Sequence, residues 1–384
     1  MGATVTRHMA PPQRHDASPT TTLHTTTLAG GHAARAELEK LARAHGFHEV
    51  RFAVVRRTPR ADALDRWLAR GDHADMHYLS AGRDARADPR FRMPSARTAM
   101  VLATDHHHRR PPDPGGRTGM VARYAWGRDY HNLVGKRLKR LRRELRSRGV
   151  PTWGAVDTAP ILERAWAAAS GLGFQGKSGL VIRPGTTSWT VLAIVFLPVA
   201  VPVDPPLGDH CGRCRRCLDA CPTAAFRGPY ELDARRCISY WTIEARGLAP
   251  RHLRDGFGRW VFGCDVCQEV CPHNHHPPDP DEDDLRPVNA WLDLDELLAS
   301  DDDALMQRFT GTPLRRPRAE GLKRNALIVL GNLGDDRVVD QVTAHGLTHR
   351  SPVVRAAAMG CLRRLGASVE PPDDHPLVVA EAAW

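Results

Sequence analysis

Four of the nine cysteines in this 384-residue chain fall within eleven residues, in the stretch HCGRCRRCLDACPTAAF that begins at His210. Their spacing is Cys211-x2-Cys214-x2-Cys217-x3-Cys221, and Pro222 follows directly. A second group, GCDVCQEVCP, supplies Cys264, Cys267 and Cys271 ahead of Pro272, and Cys237 lies between the two. No other feature restricts the fold as strongly. Thiols this crowded either pair covalently or share an inorganic centre.

Three chemistries compete. Disulfide frameworks belong to small secreted chains, whereas this chain is long enough for two domains and has few other cysteines. Zinc takes Cys-x-x-Cys pairs that lie apart in sequence, and neighbouring knuckles could provide them. The third chemistry is a pair of 4Fe–4S clusters, because the run has the bacterial spacing whose fourth cysteine ligates the partner cluster. That rule requires a second group downstream, which the sequence contains. It assigns Cys211, Cys214, Cys217 and Cys271 to one cluster, and Cys221, Cys237, Cys264 and Cys267 to the other. Thiolates suit soft iron, and the iron–sulfur reading is preferred, with zinc as its rival. Cys361, on an apolar helix, reads as a small buried residue.

Lys and Arg exceed Asp and Glu by 54 − 44 = 10, which favours a polyanionic partner. The longest apolar stretch, WTVLAIVFLPVAVPV from Trp189, is interrupted by Pro198 and Pro202. It is too short for a membrane helix and reads as a buried strand. Residues 1–32 are rich in Thr, Pro and His, lack the apolar core of a secretory signal, and are expected to be a disordered extension. A cytoplasmic location follows, where thiolates stay reduced.

Helix and strand patterns alternate from residue 33 to about 205. ARAELEKLARAHGF, ADALDRWLARG, LVGKRLKRLRRELRSRG and ILERAWAAASGLG read as helices; VRFAVVR, TAMVLAT and the segment around Val191 read as strands. This alternation indicates an α/β domain. The third helix is strongly basic over 136–148, with Leu133, Leu138, Leu141 and Leu145 on its apolar side. The cysteine-rich unit covers 206–275, an acidic, proline-rich linker 276–290, a helical region 291–370 and a tail 371–384.

In the helical region RNALIVLGNLG, from Arg324, returns as RAAAMGCLRRLG, from Arg355, a period of about 31 residues. Helix pairs at this period suggest HEAT-like repeats; a plain helical bundle is the alternative. Lys323, Arg324 and Arg355 open the repeated units beside Arg315 and Arg316. They form either an RNA-backbone surface or a solvated basic face.

The chain resembles the epoxyqueuosine reductase family over about residues 33–366. The matching stretches include ADPRFRMPSARTAMVLA, ARYAWGRDYH, VDTAPILERAWAAASGLGFQGKSGLVI, CISYWTIEARG, GCDVCQEVCPHN and RNALIVLGNLG. The resemblance implies an α+β protein with a cobalamin-binding domain, a ferredoxin-like double-cluster domain and C-terminal HEAT-like repeats. It also implies two 4Fe–4S clusters feeding cobalamin, and a substrate that is epoxyqueuosine in a tRNA anticodon loop. A monomer served by a separate reductant is expected.

Asp157, in VDTAP, corresponds to the family's proton donor. Taken alone, an Asp at this place more often caps a helix than acts as an acid, and Pro160 just beyond it supports a helix start. As a general acid it would need a carboxyl pKa raised by burial. Candidate cobalamin contacts are Tyr124, His131, Lys177, Ile182, Ser239 and Asp265, each of which could also serve packing or surface hydrogen bonding. Two rival functions share some of these features. One is another cobalamin and iron–sulfur reductase of the reductive dehalogenase kind; the other is a ferredoxin-type carrier with an RNA-binding tail.

Overall fold

The computed structural model describes residues 30–277 and 282–383. The expected extension lies outside the described residues except for its last three, of which His32 opens the first helix. Helix α1 (His32–Ala44), strand β1 (Glu49–Val54), helix α2 (Ala61–Ala69) and strand β2 (Thr98–Asp105) come first. Strand β3 (Thr118–Val121), helix α3 (Tyr130–Ser147), strand β4 (Trp153–Ala155), helix α4 (Glu163–Ala169) and strand β5 (Thr190–Leu197) follow.

One sheet has the order β1-β2-β5-β4 and is antiparallel at every pairing. This corrects the α/β expectation. Helices do intervene between strands, but none of the pairings is a parallel crossover, so the region is α+β. Successive residues of a strand face opposite sides. Met100, Leu102, Ala193 and Val195 meet Leu38 and Leu41 of α1 and Leu138, Leu141 and Leu145 of α3. Val101, Ile194 and Phe196 point the other way, onto Ile161 and Trp166. Each such side chain contributes about 1.5–3 kcal/mol when fully buried. On β4, a Cβ at Gly154 would lie 2.0 Å from the Ile194 carbonyl oxygen, so only glycine allows this strand to dock.

The buried stripe of α3 is Val134, Leu138, Leu141 and Leu145, and Leu133 is only partly covered. The opposite face carries Lys136, Lys139, Arg140, Arg143 and Arg146, all exposed. Their offsets of three, four, seven and ten residues place them on one side of the helix.

A second sheet joins distant parts of the chain. β3 pairs in parallel with β6 (Trp260–Phe262) and antiparallel with β7 (Trp291–Asp293). The described part of the stretch expected as a linker is packed: Leu285 and Ala290 are buried, and the Asp284 carbonyl accepts from the Arg128 amide at 2.7 Å. Beyond it, helices α5 (Arg318–Leu333), α6 (Pro352–Arg364) and α7 (Pro376–Ala382) close the chain, with α6 packed between the other two. The echoed segments run along α5 and α6 to the glycines just beyond them, Gly334 and Gly366. Among the described residues no helix is long and apolar enough to cross a membrane.

Candidate functional site

The eight clustered cysteines are partly buried and free of disulfides, while Cys361 is buried. Each three-cysteine loop runs into a one-turn helix, Arg216–Asp219 or Val266–Glu269, and these turns pack together. Burial raises the thiol pKa values of Cys217 and Cys271, and the neighbouring Cys211 and Cys214 raise them further. Burial likewise raises Cys237, Cys264 and Cys267; Cys221 acts on the first two, and Cys264 and Cys237 act on Cys267. Cys217 acts on Cys267 as well, so the thiols of the two cysteine loops lie close enough to influence one another. Such crowding disfavours free thiolates and is relieved by a positively charged iron core. Beside the first quartet lies a cavity of about 180 Å³, lined by Cys211, Cys214, Cys217, Cys271, Cys267 and Ile182.

Asp157 lies on the loop between β4 and α4, and its side chain is 62% exposed. Its φ of 55° is left-handed, a conformation costing a non-glycine residue roughly 1–2 kcal/mol. Leu162, not Asp157, is the N-cap of α4, so the capping alternative fails. The Tyr130 hydroxyl donates to Asp157 Oδ2 at 2.8 Å, and His131 Nε2 lies 3.7 Å from the same oxygen. The His131 ring, stacked on Tyr130 with centroids 4.1 Å apart, meets Asp129 Oδ1 through Nδ1 at 2.8 Å. Asp129 also caps α3, and its own amide is tied to the Gly311 carbonyl.

These contacts set the charges. The His131 interaction holds the Asp157 carboxyl below its usual range, burial opposes this, and Tyr130 adds to the lowering. The expected raised acid is therefore an ionised carboxylate here. Burial disfavours a charged His131, but Asp129 and Asp157 outweigh it and push the imidazole up to about 9. Glu163, at the start of α4, is pushed up to about 7 by burial, with the Asp157 charge adding to the rise. Its Oε1 is buried without a hydrogen-bond partner, as is Gln175 Oε1.

The other expected site residues divide sharply. Tyr124 packs on Tyr130 and Phe262 near Asp157. Lys177 Nζ instead donates to the Gly212 and Cys214 carbonyls of the first cysteine loop, at 2.6 and 2.9 Å. Ser239 lies beside Cys237 and works against the burial that raises its thiol pKa. Asp265 is only 1% exposed and accepts from the Arg123 amide and guanidinium at 2.8 and 3.2 Å. It braces Arg123 and is not free to face a cofactor.

The basic tail residues need the largest correction. Lys323 is buried against Asp302 at 3.0 Å. Arg324 is 2% exposed and donates to the carbonyls of Trp241, Ala245 and Gly247. Arg355 is part-buried on Asp373. Arg324 fastens the tail to the segment after Cys237, while Lys323 and Arg355 pair with acids inside the tail, so none of the three forms a free basic surface. Arg315 is exposed. Arg316 pairs with Glu244 at 2.6 Å and is near enough to Asp157 to influence it electrostatically. Asp129, Tyr130 and Glu163 were not singled out from the sequence; the adjacent RDYH and ILER segments carried the only signal.

Residues 210–274 match the family described as 4Fe-4S double cluster binding domain. Residues 86–158 match the family described as Epoxyqueuosine reductase QueG, DUF1730. The first match favours iron–sulfur clusters over zinc. The chain is 40% identical over 299 residues to an epoxyqueuosine reductase of Synechococcus sp. strain CC9605, covering 75% of this chain and 92% of that protein. It is 38% identical over 341 residues to one from Pseudomonas aeruginosa, covering 84% and 91%. An epoxyqueuosine reductase solved with an epoxyqueuosine-modified tRNA stem loop superposes with a TM-score of 0.82 at 26% identity, over 91% of this chain and 97% of that one. The enzyme from Streptococcus thermophilus superposes at 0.80, also at 26% identity, over 90% and 96%. At these identities and coverages, this chain belongs to the epoxyqueuosine reductase family.

Proposed function

We propose that this protein reduces epoxyqueuosine to queuosine in the anticodon loop of tRNA, as a cytoplasmic monomer drawing electrons from a separate reductant. Family membership supports the reaction. The observation that carries the local chemistry is Asp157, exposed beside Tyr130 and His131 on a strained loop. Removing an epoxide oxygen to leave a carbon–carbon double bond consumes two electrons and two protons. The two cysteine quartets, in the assignment made above, hold the 4Fe–4S clusters that carry the electrons.

Cobalamin is read into the α+β domain, where it would supply two-electron chemistry at carbon. The partnerless acceptors Glu163 Oε1 and Gln175 Oε1 fit the amide N–H groups on that cofactor's rim. Tyr124 and Ile182 offer it apolar surface. Lys177 and Asp265 have their charges committed elsewhere, so they shape its surroundings through the cysteine loops. Asp157 delivers the proton to the departing oxygen.

The domain plan is a catalytic region over 33–205, a double-cluster unit over 206–275 and two HEAT-like helix pairs within 291–370. The tRNA backbone follows the exposed face of α3 and Arg315. Arg316, close to Asp157, orients the anticodon loop. A dehalogenase-like enzyme or a plain electron carrier would have no need of this basic face leading to an acid.

Asp157→Asn tests the reading, because it keeps shape and hydrogen bonding but cannot release a proton. Anaerobic turnover of epoxyqueuosine-containing tRNA, followed by nucleoside mass spectrometry, should fall at least tenfold, and by roughly 10² to 10⁴ if transfer is fully rate-limiting. Near-normal turnover would assign the acid's role to water or to another residue.

A further inference from the structure

A single carboxylate cannot supply this reaction alone. Two protons are needed for each oxygen lost as water, and Asp157 is ionised at rest. Something must load it and then reload it. We propose that Asp129 and His131 form a proton-supplying pair behind Asp157, with His131 Nε2 passing its proton to Asp157 Oδ2 and Asp129 holding the ring in place. This rests on the reading of Asp157 as the proton donor and extends it.

Both ring nitrogens are committed in the direction a relay requires. Nδ1 is 2.8 Å from Asp129 Oδ1, and Nε2 faces Asp157 Oδ2 at 3.7 Å. The second distance is a short movement from hydrogen-bond contact, and catalytic contacts commonly tighten when substrate binds. Stacking on Tyr130 fixes the ring plane, while the Tyr130 hydroxyl fixes the acceptor oxygen at 2.8 Å. His131 sits in the first turn of α3, where the helix dipole disfavours a cation. The two carboxylates overcome that and burial, so the proton is held through neutral pH. The charged and titratable groups around the pair are Asp129, Asp157, Tyr124, Tyr130, Glu163 and Arg316.

The steps balance. His131 first protonates Asp157, which gives that proton to the epoxide oxygen as the first carbon–oxygen bond breaks and is left a carboxylate. Solvent reprotonates His131, which reloads Asp157, and the second proton leaves with the oxygen as water when the second bond breaks and the double bond forms. The two electrons arrive through the iron–sulfur clusters from the external reductant, and solvent restores the His131 proton after this second transfer as well.

Two variants separate this relay from a structural role. Asp129→Asn preserves the helix cap, since asparagine is an equally good N-cap, but removes the charge behind the ring. His131→Gln removes the relay and identifies the resonance. In oxidised, cluster-loaded protein labelled at histidine Cε1, NMR titration should show one imidazole with a midpoint near 9 that vanishes in His131→Gln. In Asp129→Asn that midpoint should fall by at least one pH unit. Wild-type turnover should decline as pH rises through about 9, and in Asp129→Asn the decline should move down by a similar interval. His131→Gln should lose at least tenfold in rate, partly restored by added imidazole, with tRNA affinity unchanged. A His131 midpoint at or below 6.5, or wild-type rates and pH profiles in both variants, would overturn the relay. If Asp157→Asn is inactive while these variants are normal, only the relay fails. If Asp157→Asn is active, the underlying reading fails first.

Discussion

Arg324 provides the most direct test of the packing argument, because its surroundings contradict its composition. It is a charged side chain only 2% exposed, and burial pulls its pKa down to about 10, so it stays charged at neutral pH. Among the described residues no carboxylate forms an ion pair with it, although the Glu320 charge partly offsets the burial. Its guanidinium donates to Ala245 and Gly247 carbonyls at 2.8 and 2.7 Å and to Trp241 at 2.6 Å. Nε and Nη2 both reach Asn325 Oδ1, at 3.0 and 2.9 Å. Asn325 in turn donates to the Thr242 and Val261 carbonyls at 2.9 Å. Together they stitch α5 to the segment that follows Cys237. Arg324→Met keeps most of the volume and leaves three carbonyls and one amide oxygen without donors. Each orphaned group costs about 1–3 kcal/mol. Relief of the buried charge offsets part of that, leaving a net loss of about 3–5 kcal/mol. Urea denaturation of anaerobic, cluster-loaded protein, followed by far-ultraviolet circular dichroism, should show a clearly lowered midpoint. Folded variant should bind tRNA with the wild-type salt slope. A stability loss under about 1 kcal/mol, or a flattened salt slope with stability intact, would refute the argument and return Arg324 to the nucleic-acid surface.

Replacing Lys136, Lys139, Arg140 and Arg143 of α3 with Gln should weaken tRNA binding. The slope of log affinity against log salt should decrease by about 0.7–0.9 for each phosphate that these side chains neutralise. An unchanged slope in filter-binding or fluorescence titrations would remove α3 from the interface. Cys237→Ser should cost the second cluster selectively, so iron in reconstituted protein falls from about eight to about four per chain. Loss of all iron, or none, in colorimetric analysis together with electron paramagnetic resonance would refute the quartet assignment.

The double-cluster region was legible in the sequence because its cysteine spacing is local. Three cysteines on one tight loop need no tertiary information, and the exchange of the fourth cysteine is a regular property of that spacing. The helices were legible for a similar reason: the apolar period of α3 is visible in its residues, and the structure only exchanged Leu133 for Val134 at its start. Other outcomes depended on what lies opposite in space. Helix–strand alternation is compatible with parallel or antiparallel sheets, and the pairing of β2 with both β1 and β5 decided for antiparallel. Arg324 and Lys136 are both basic helix residues in sequence, yet one is sealed against carbonyls 77–83 positions away and the other is exposed. The charge state of Asp157 is likewise non-local. It is set by His131 and Tyr130 across the turn from α3 to the β4–α4 loop. Spacing and period reveal what a residue can do; burial and the partner across the fold determine whether it carries charge, binds outward or holds the protein together.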